Sequence, residues 1–361
     1  MPTGLVSASL QADLPVWNCE ENDILVCRHV VQETHDVRSF IFSPPTPHIF
    51  RFEPGQFLTF QFKIGGHTLH RCYTISSPPT RPHTVSITSK RVPGGPVSNW
   101  LHDHLRPGMS VQVTGPMGDF TSVQHPAEKY LFLSGGSGIT PLMSMARTHQ
   151  DLALDADTIF VHAARSPDDI IFRDELERMS MTFPRFRLAV ICEGDAPMRG
   201  WSGYRGRLSL GLLREIAPDF SEREVLTCGP SPFMAAVRTI LLEGGANPAR
   251  YHEESFNFAE LAESLEEPPA APPLEGFEIT FAKSERAVIC GPNQTILQAA
   301  KDAGLRLPSA CARGMCGTCK SRMISGQVDM KHEGGIRQRE IDQGMILICC
   351  SKPLADTVID R

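Results

Sequence analysis

Cys311-x4-Cys316-x2-Cys319, followed after 29 residues by Cys349, constrains this chain more than any other feature of its sequence. Three thiolates from one tight loop and a fourth from a distant strand form the spacing that holds a [2Fe–2S] cluster. The small residues Ala312, Gly314, Gly317 and Thr318 let backbone N–H groups approach the sulfurs and tune them. The alternatives are a zinc site or buried inert thiols. A zinc ribbon needs two paired x2 knuckles, and only one exists here. Cys350 sits beside Cys349, so spacing leaves the fourth ligand ambiguous.

The total of eleven cysteines is odd, and no basic n-region with an apolar stretch follows Met1. Thiols that stay reduced favour metal or redox chemistry over a disulfide framework, and the expected location is cytoplasmic. With 361 residues the chain is long enough for two or three domains. A net charge of −6 spread along it gives no basic face for nucleic acid, and no apolar run is long enough to span a membrane.

The rhythm of the chain changes twice. Residues 1–22 read as an N-terminal extension. From 23 to 123, short alternating runs (Ile24 to Val31, Ser39 to Phe42, Phe57 to Phe62, Thr84 to Ser89, Ser110 to Val113) punctuated by Gly and Pro predict an antiparallel β-barrel. From 124 to 258, strands alternate with glycine turns and helical stretches, which predicts a parallel sheet covered by helices. Residues 259–275 hold five glutamates, four prolines and no basic residue, the composition of a stiff acidic linker. The last segment, 276–361, reads as a hairpin (Glu278–Phe281, Ala287–Ile289), a helix from Thr295 to Ala303, and the cysteine loop.

Within the barrel segment, Arg71-Cys72-Tyr73-Thr74-Ile75-Ser76-Ser77 offers a cation and an aromatic ring two residues apart, on one face of a strand. About twenty residues later, Gly94-Gly95-Pro96-Val97-Ser98-Asn99-Trp100-Leu101 offers open amides, a hydroxyl and a helix start, suited to a pyrophosphate. Either string alone is more often an ordinary strand or turn; their order and pairing carry the inference. In the next segment Leu131 to Pro141 (LFLSGGSGITP) reads as strand, glycine turn and helix, with Thr140 expected as N-cap and Pro141 as the first helical residue. Its chemistry is anion binding by amides and helix dipole at Gly136 and Gly138. Thr227-Cys228-Gly229-Pro230 ends another strand, where a lone cysteine is usually core packing. His252-Glu253-Glu254-Ser255-Phe256 would by itself read as a solvated terminus.

Taken together these strings resemble the ferredoxin–NADP reductase superfamily, with R-x-Y-[ST]-x-x-S, G-G-x-x-S, G-G-x-G-I-x-P and C-G-P in that order. The resemblance implies that Arg71 holds flavin phosphate and Tyr73 packs on the isoalloxazine, followed by Ile75. It sets Thr74 near N5, and Gly94, Gly95, Val97 and Ser98 along the pyrophosphate of FAD. It likewise implies that Gly136, Gly138 and Thr140 bind the nicotinamide dinucleotide and that Cys228, Gly229 and Pro230 orient the nicotinamide, Cys228 as a contact rather than a nucleophile. Glu254 and Phe256 then lie near the flavin. Arg165 and Ser166 stand where a 2′-phosphate would bind, but Asp168 and Asp169 follow at once and repel it, which favours NADH over NADPH.

The last 85 residues resemble plant-type ferredoxin domains and imply a β-grasp fold. In those domains the last ligand follows an apolar strand and precedes a proline turn, an offset that selects Cys349 in Leu347-Ile348-Cys349-Cys350-Ser351-Lys352-Pro353 and leaves Cys350 a buried neighbour. The expected fold class is thus multidomain β, α/β and α+β: flavin-binding barrel, nucleotide-binding parallel sheet and β-grasp ferredoxin.

This order implies an NADH-dependent reductase that passes electrons through FAD and a [2Fe–2S] cluster to a separate acceptor protein. Ser98 to Asp103, Trp201 to Gly206, His252 to Phe256 and Gly317 to Lys320 most resemble reductase subunits of two-component Rieske oxygenases such as the one that demethylates glycine betaine. Reductases of hybrid-cluster proteins are the alternative, and a non-catalytic redox sensor is an alternative of another class. The sensor is disfavoured because it would leave a hydride-handling apparatus idle.

Overall fold

The computed structural model describes residues 14–19, 21–195, 200–256, 276–305, 307, 314, 319–332, 336 and 338–361. It divides into two compact units, 1–258 and 259–361. The acidic stretch 259–275 lies outside the described residues.

In the first unit, six antiparallel strands are ordered β4-β3-β6-β1-β2-β5: β1 (Ile24–Thr34), β2 (Val37–Ser43), β3 (Phe57–Ile64), β4 (His67–Thr74), β5 (Val85–Lys90) and β6 (Ser110–Met117). The two edges meet. Ile75, just past β4, forms an antiparallel bridge with Ile87 of β5, and Ser76 N–H donates to Ser86 O at 2.8 Å. Alternation sends Leu25, Phe40, Phe42, Leu58, Phe60, Ile75 and Ile87 inward as a fully buried core. One helix, α1 (Pro96–His104), packs its Val97 and Leu101 onto that core.

A second, parallel sheet has the order β10-β9-β8-β7-β11-β12. Its strands are β7 (Lys129–Gly135), β8 (Asp157–Ala164), β9 (Phe186–Cys192), β10 (Tyr204–Arg205), β11 (Glu224–Pro230) and β12 (Tyr251–Phe256). The helices α2 (Ile139–Asp151), α3 (Arg173–Thr182), α4 (Leu210–Ile216) and α5 (Ser231–Glu243) connect them. Strands such as Lys129–Gly135, buried from Tyr130 onward, are apolar on both faces because helices cover both. The string His252 to Phe256, which alone reads as a solvated terminus, is instead an edge strand paired with β11 along its length.

A buried cation fastens this sheet to the barrel. Arg147 of α2 donates from Nη1 to the Ser76 carbonyl at 2.6 Å, pairs through Nε and Nη2 with Glu175, and lies 4.6 Å from the Phe172 ring centroid. Beside it Ser144 Oγ donates to Ser77 O at 2.8 Å. Thus the chain leaving β4 is held by the helix that follows the glycine turn.

The second unit is a five-stranded sheet, β14-β13-β19-β15-β17, with a two-stranded ribbon β16-β18. The strands are β13 (Phe277–Phe281), β14 (Arg286–Cys290), β15 (Lys320–Ser325), β16 (Val328–Met330), β17 (Met345–Leu347), β18 (Ser351–Pro353) and β19 (Thr357–Ile359). Helices α6 (Ile296–Asp302) and α7 (Gln338–Asp342) complete it, α6 capped by Thr295 Oγ1 accepting from Gln298 N–H. Ile279, Phe281, Ile296, Leu297, Ala300, Leu347 and Ile359 form its core.

Candidate functional site

Strand alternation places Arg71 and Tyr73 on one face of β4, with Phe60 and Leu58 as their partners on β3, while Thr74 is turned to the other and is buried. The Tyr73 ring stands edge-on to Phe60 at 5.8 Å, and burial pushes its phenol up to about 12, so it stays neutral. Burial also lowers Arg71, which remains a cation at any physiological pH. A half-buried cation beside a fixed ring suits a phosphate attached to a flat aromatic system.

The loop after β5 turns through Gly94 and opens α1 at Gly95 and Pro96. Here the structure refines one expectation. Ser98 Oγ accepts from Val92 N–H at 3.1 Å and donates to the Gly95 carbonyl at 3.3 Å, so the hydroxyl latches the loop. Asn99 Nδ2 adds bonds to the Val92 and Gly95 carbonyls. The backbone N–H groups of Val97 and Ser98, at the helix start, are the donors suited to an anion.

Beyond β7 the chain makes a single 3₁₀ turn, Gly136–Gly138, and then enters α2 at Ile139. Thr140 is therefore not the N-cap, and Pro141 is not the first helical residue. Gly138 holds the cap position, and Thr140 Oγ1 donates to Ser137 O at 3.2 Å. The 3₁₀ turn consumes the residues that a direct strand-to-helix passage would have left free. Gly138 also packs against the end of β11: a Cβ there would lie 2.4 Å from the Cys228 carbonyl atoms. Only hydrogen fits in that gap.

The strand ends form a row. Parallel register sets Glu254 beside Cys228, Cys228 beside Ser134, and Ser134 beside His162. Cys228 is fully buried; burial, then the neighbouring Glu254 carboxylate, raise its thiol well above the ordinary cysteine range. It stays protonated and is no nucleophile. Ser134 Oγ lies 2.8 Å from His162 Nδ1, and burial lowers this imidazole to about 4, so it is neutral. Sequence reading missed the Ser134–His162 couple. Its only trace is the placement of both residues one step before a glycine or alanine at a strand end.

After β8, Arg165 Nη2 donates to Asp169 Oδ1 at 2.8 Å and Ser166 Oγ donates to Asp169 Oδ2 at 2.6 Å. Arg165 also lies 3.4 Å from Asp36 of the β1–β2 turn. Of the two aspartates, Asp169 thus engages both groups that could hold a phosphate, while Asp168 is exposed.

In the second unit, Lys320 of β15 pairs with Leu347 of β17 in an antiparallel ladder. One step past that rung lie Cys319 and the Ile348-Cys349 segment, so the ladder delivers two buried sulfurs, at 2% and 5% exposure, to the same sheet end. Cys350 is half-buried rather than buried, with Sγ 3.5 Å from the Leu347 carbonyl. It lies against Gly314, where a Cβ would be 2.6 Å from the Cys350 sulfur and φ is +76°. Cys311 and Cys316 lie outside the described residues, as does the side chain of Phe256. By contrast, burial pushes the Cys27, Cys192 and Cys290 thiols up to about 11, which makes them inert packing groups.

Comparison with known proteins adds three matches to domain families: an oxidoreductase FAD-binding domain over residues 25–122, an oxidoreductase NAD-binding domain over 132–239 and a 2Fe-2S iron-sulfur cluster binding domain over 279–354. The glycine betaine monooxygenase reductase subunit of Pseudomonas aeruginosa is 47% identical over 92% of this chain and 94% of its own length. The stachydrine N-demethylase reductase subunit of Rhizobium meliloti is 44% identical over 94% and 96%. Phthalate dioxygenase reductase, a solved structure 24% identical, superimposes over 96% of this chain and all of its own with a TM-score of 0.57, a likeness of fold. Among the described residues no helix is long and apolar enough to cross a membrane.

Proposed function

The chain belongs to the family of monooxygenase reductase subunits that join FAD-binding, NAD-binding and [2Fe–2S]-binding domains, and from that premise we propose that it serves a Rieske-type oxygenase that removes an N-methyl group from a betaine-like quaternary amine. The observation that carries this reading is the identity of 47% and 44% to two such reductase subunits across nearly the whole of each chain. A cytoplasmic location accords with it. When bound, NADH supplies a hydride, the flavin accepts electrons in pairs and gives them up singly, and the cluster carries one at a time.

The chain's own residues divide the work. Arg71 neutralises flavin phosphate, Tyr73 fixes the ring, and the amides of Val97 and Ser98, in the loop that Gly94 and Gly95 turn, receive pyrophosphate. Ile75, which the resemblance also set beside the flavin, is instead wholly buried in the barrel core with its N–H donated to the Gln56 carbonyl, and the Gly95 N–H is taken by the Val92 carbonyl. Thr74 and Glu254 border the reacting edge, with Phe256 closing it. Gly136, Gly138 and Thr140 present the helix start to the dinucleotide, while Cys228, Gly229 and Pro230 orient the nicotinamide with an uncharged thiol. Cys311, Cys316, Cys319 and Cys349 ligate the cluster. Their chemistry fits it: the buried Cys319 and Cys349 lie at one sheet end, near Gly314, where a Cβ would meet the Cys350 sulfur.

NADH is the preferred donor, because Asp169 occupies Arg165 and Ser166 and places a negative charge where a 2′-phosphate would lie. Asp169→Asn removes that charge while Arg165 keeps its contact with Asp36. NADPH turnover is expected to rise at least several-fold relative to NADH; an unchanged ratio of kcat/KM values removes Asp169 as the determinant.

The test of function pairs the purified reductase with a Rieske-type oxygenase component, NADH, oxygen and glycine betaine. Demethylation releases one formaldehyde per NADH, since the oxygen molecule takes two electrons and yields water and a hydroxymethyl group that departs as the aldehyde. NADH-dependent formaldehyde release supports the reading. Flavin and cluster reduction without any demethylation, by an oxygenase active with another reductase, refutes it.

A further inference from the structure

We propose that His125, Glu224 and His252 bind a divalent transition-metal ion of the Zn²⁺ class, at the end of the parallel sheet opposite the glycine turn. The three come from separate segments: His125 precedes β7, Glu224 opens β11, and His252 is the second residue of β12. One ligand atom from each lies within 4.8 Å of the others. His252 Nε2 is 2.6 Å from Glu224 Oε1, and the two imidazoles are stacked with centroids 3.4 Å apart and planes inclined by 16°. All three side chains are half-buried, so they are shielded yet reachable from solvent.

Two imidazoles and a carboxylate are a zinc donor set that leaves a fourth position for water. With metal–ligand distances of about 2.0–2.2 Å, the ligand atoms of a tetrahedral site stand roughly 3.4 Å apart. The 2.6 Å separation of His252 and Glu224 is shorter than that edge, and all three ligand atoms lie within 4.8 Å of one another, so small side-chain rotations bring the set to it. Charge agrees as well: among the described ion pairs, Glu224 has no lysine or arginine partner. The other comparable group, His35, Asp36 and Asp169, differs in this respect, because Lys90 and Arg165 already neutralise Asp36. A cation there would meet cations.

Such an ion would clamp the edge strand. Among the described residues β12 pairs with a single strand, β11. A bond from His252 to metal, shared with the start of β11 and with the segment leaving the barrel, fixes β12 two residues before Glu254. The site lies about 13 Å, four strand residues, from Cys228 along β11, so the ion acts on strand rigidity and not on the nicotinamide.

The probe is Zn²⁺ alone, added to the full-length protein carrying its flavin and cluster, after brief chelator treatment. Equilibrium dialysis with metal analysis compares it with His125→Asn, Glu224→Gln and His252→Gln. The intact protein is expected to take up an additional equivalent of zinc that all three variants lose, and zinc should raise the temperature of flavin release by a few degrees only in the intact protein. Equal zinc uptake by the intact protein and the near-isosteric Glu224→Gln, with flavin and cluster content unchanged, overturns the proposal.

Discussion

Cys349→Ser is expected to yield a protein whose flavin is still reduced by NADH but which lacks the visible absorption of the [2Fe–2S] cluster. Its electron delivery to the oxygenase should fall by more than the roughly 10–100-fold that follows loss of an outer-shell partner of a metal site. The reason lies in the ladder. Lys320 opposite Leu347 brings Cys319 and Cys349 to one sheet end, both almost wholly buried, so that a sulfur missing there cannot be replaced by water without exposing the core of Ile346, Leu347 and Ile348. Cys350→Ser is expected to keep the cluster. Its sulfur sits against Gly314 and the Leu347 carbonyl, contacts that the smaller hydroxyl also satisfies. Absorption spectra of the two variants, with flavin content as the internal standard, decide the matter, and cluster loss in Cys350→Ser with retention in Cys349→Ser would reassign the ligand.

What was legible in the sequence is what depends on local chemistry. Alternation in Phe57 to Phe62 and the fully apolar run Leu131 to Leu133 each state how many faces of a strand are buried, and those strands appear where the pattern sets them. Cysteine spacing states a loop geometry, and the matched family shares that chemistry. Whatever requires a partner from elsewhere in the chain stayed hidden. His252 to Phe256 has the polarity of a terminus, yet β11 supplies backbone partners along its length. Likewise Thr140 has the composition of a cap, but the 3₁₀ turn before it moves that role to Gly138. The role of Asp36 in holding Arg165 joins residues 129 positions apart, and no local pattern announces it. Ser134 and His162 meet for the same reason, through register between neighbouring strands.

Arg223→Met is expected to destabilise the first unit by about 3–5 kcal/mol, the cost of removing one partner from a buried ion cluster. Arg223 is 1% exposed, and its guanidinium joins the amino ends of three strands. Nε and Nη2 donate to Asp219 at 2.8 and 3.0 Å, Nη1 and Nη2 to the Asp157 carboxylate at 3.2 and 3.0 Å, and Nη1 also to the carbonyls of Tyr130 and Asp157. Methionine matches the length of the stem but leaves two carboxylates facing each other and two carbonyls without their donor. For a unit of this size such a loss corresponds to a fall of roughly 6–20 °C in the midpoint of thermal unfolding, read from the release of flavin fluorescence. The same cluster sets the acid limit. The Arg223 and Lys129 cations outweigh burial and hold Asp219 down at about 2, below the ordinary 3.8. Its pairing therefore stabilises the fold fully above pH 4 and is lost as the pH falls from there towards 2. In Arg223→Met that segment of the acid-unfolding curve should flatten and shift to higher pH. A variant with unchanged thermal midpoint and an unchanged acid limb would show that the cluster contributes nothing to stability.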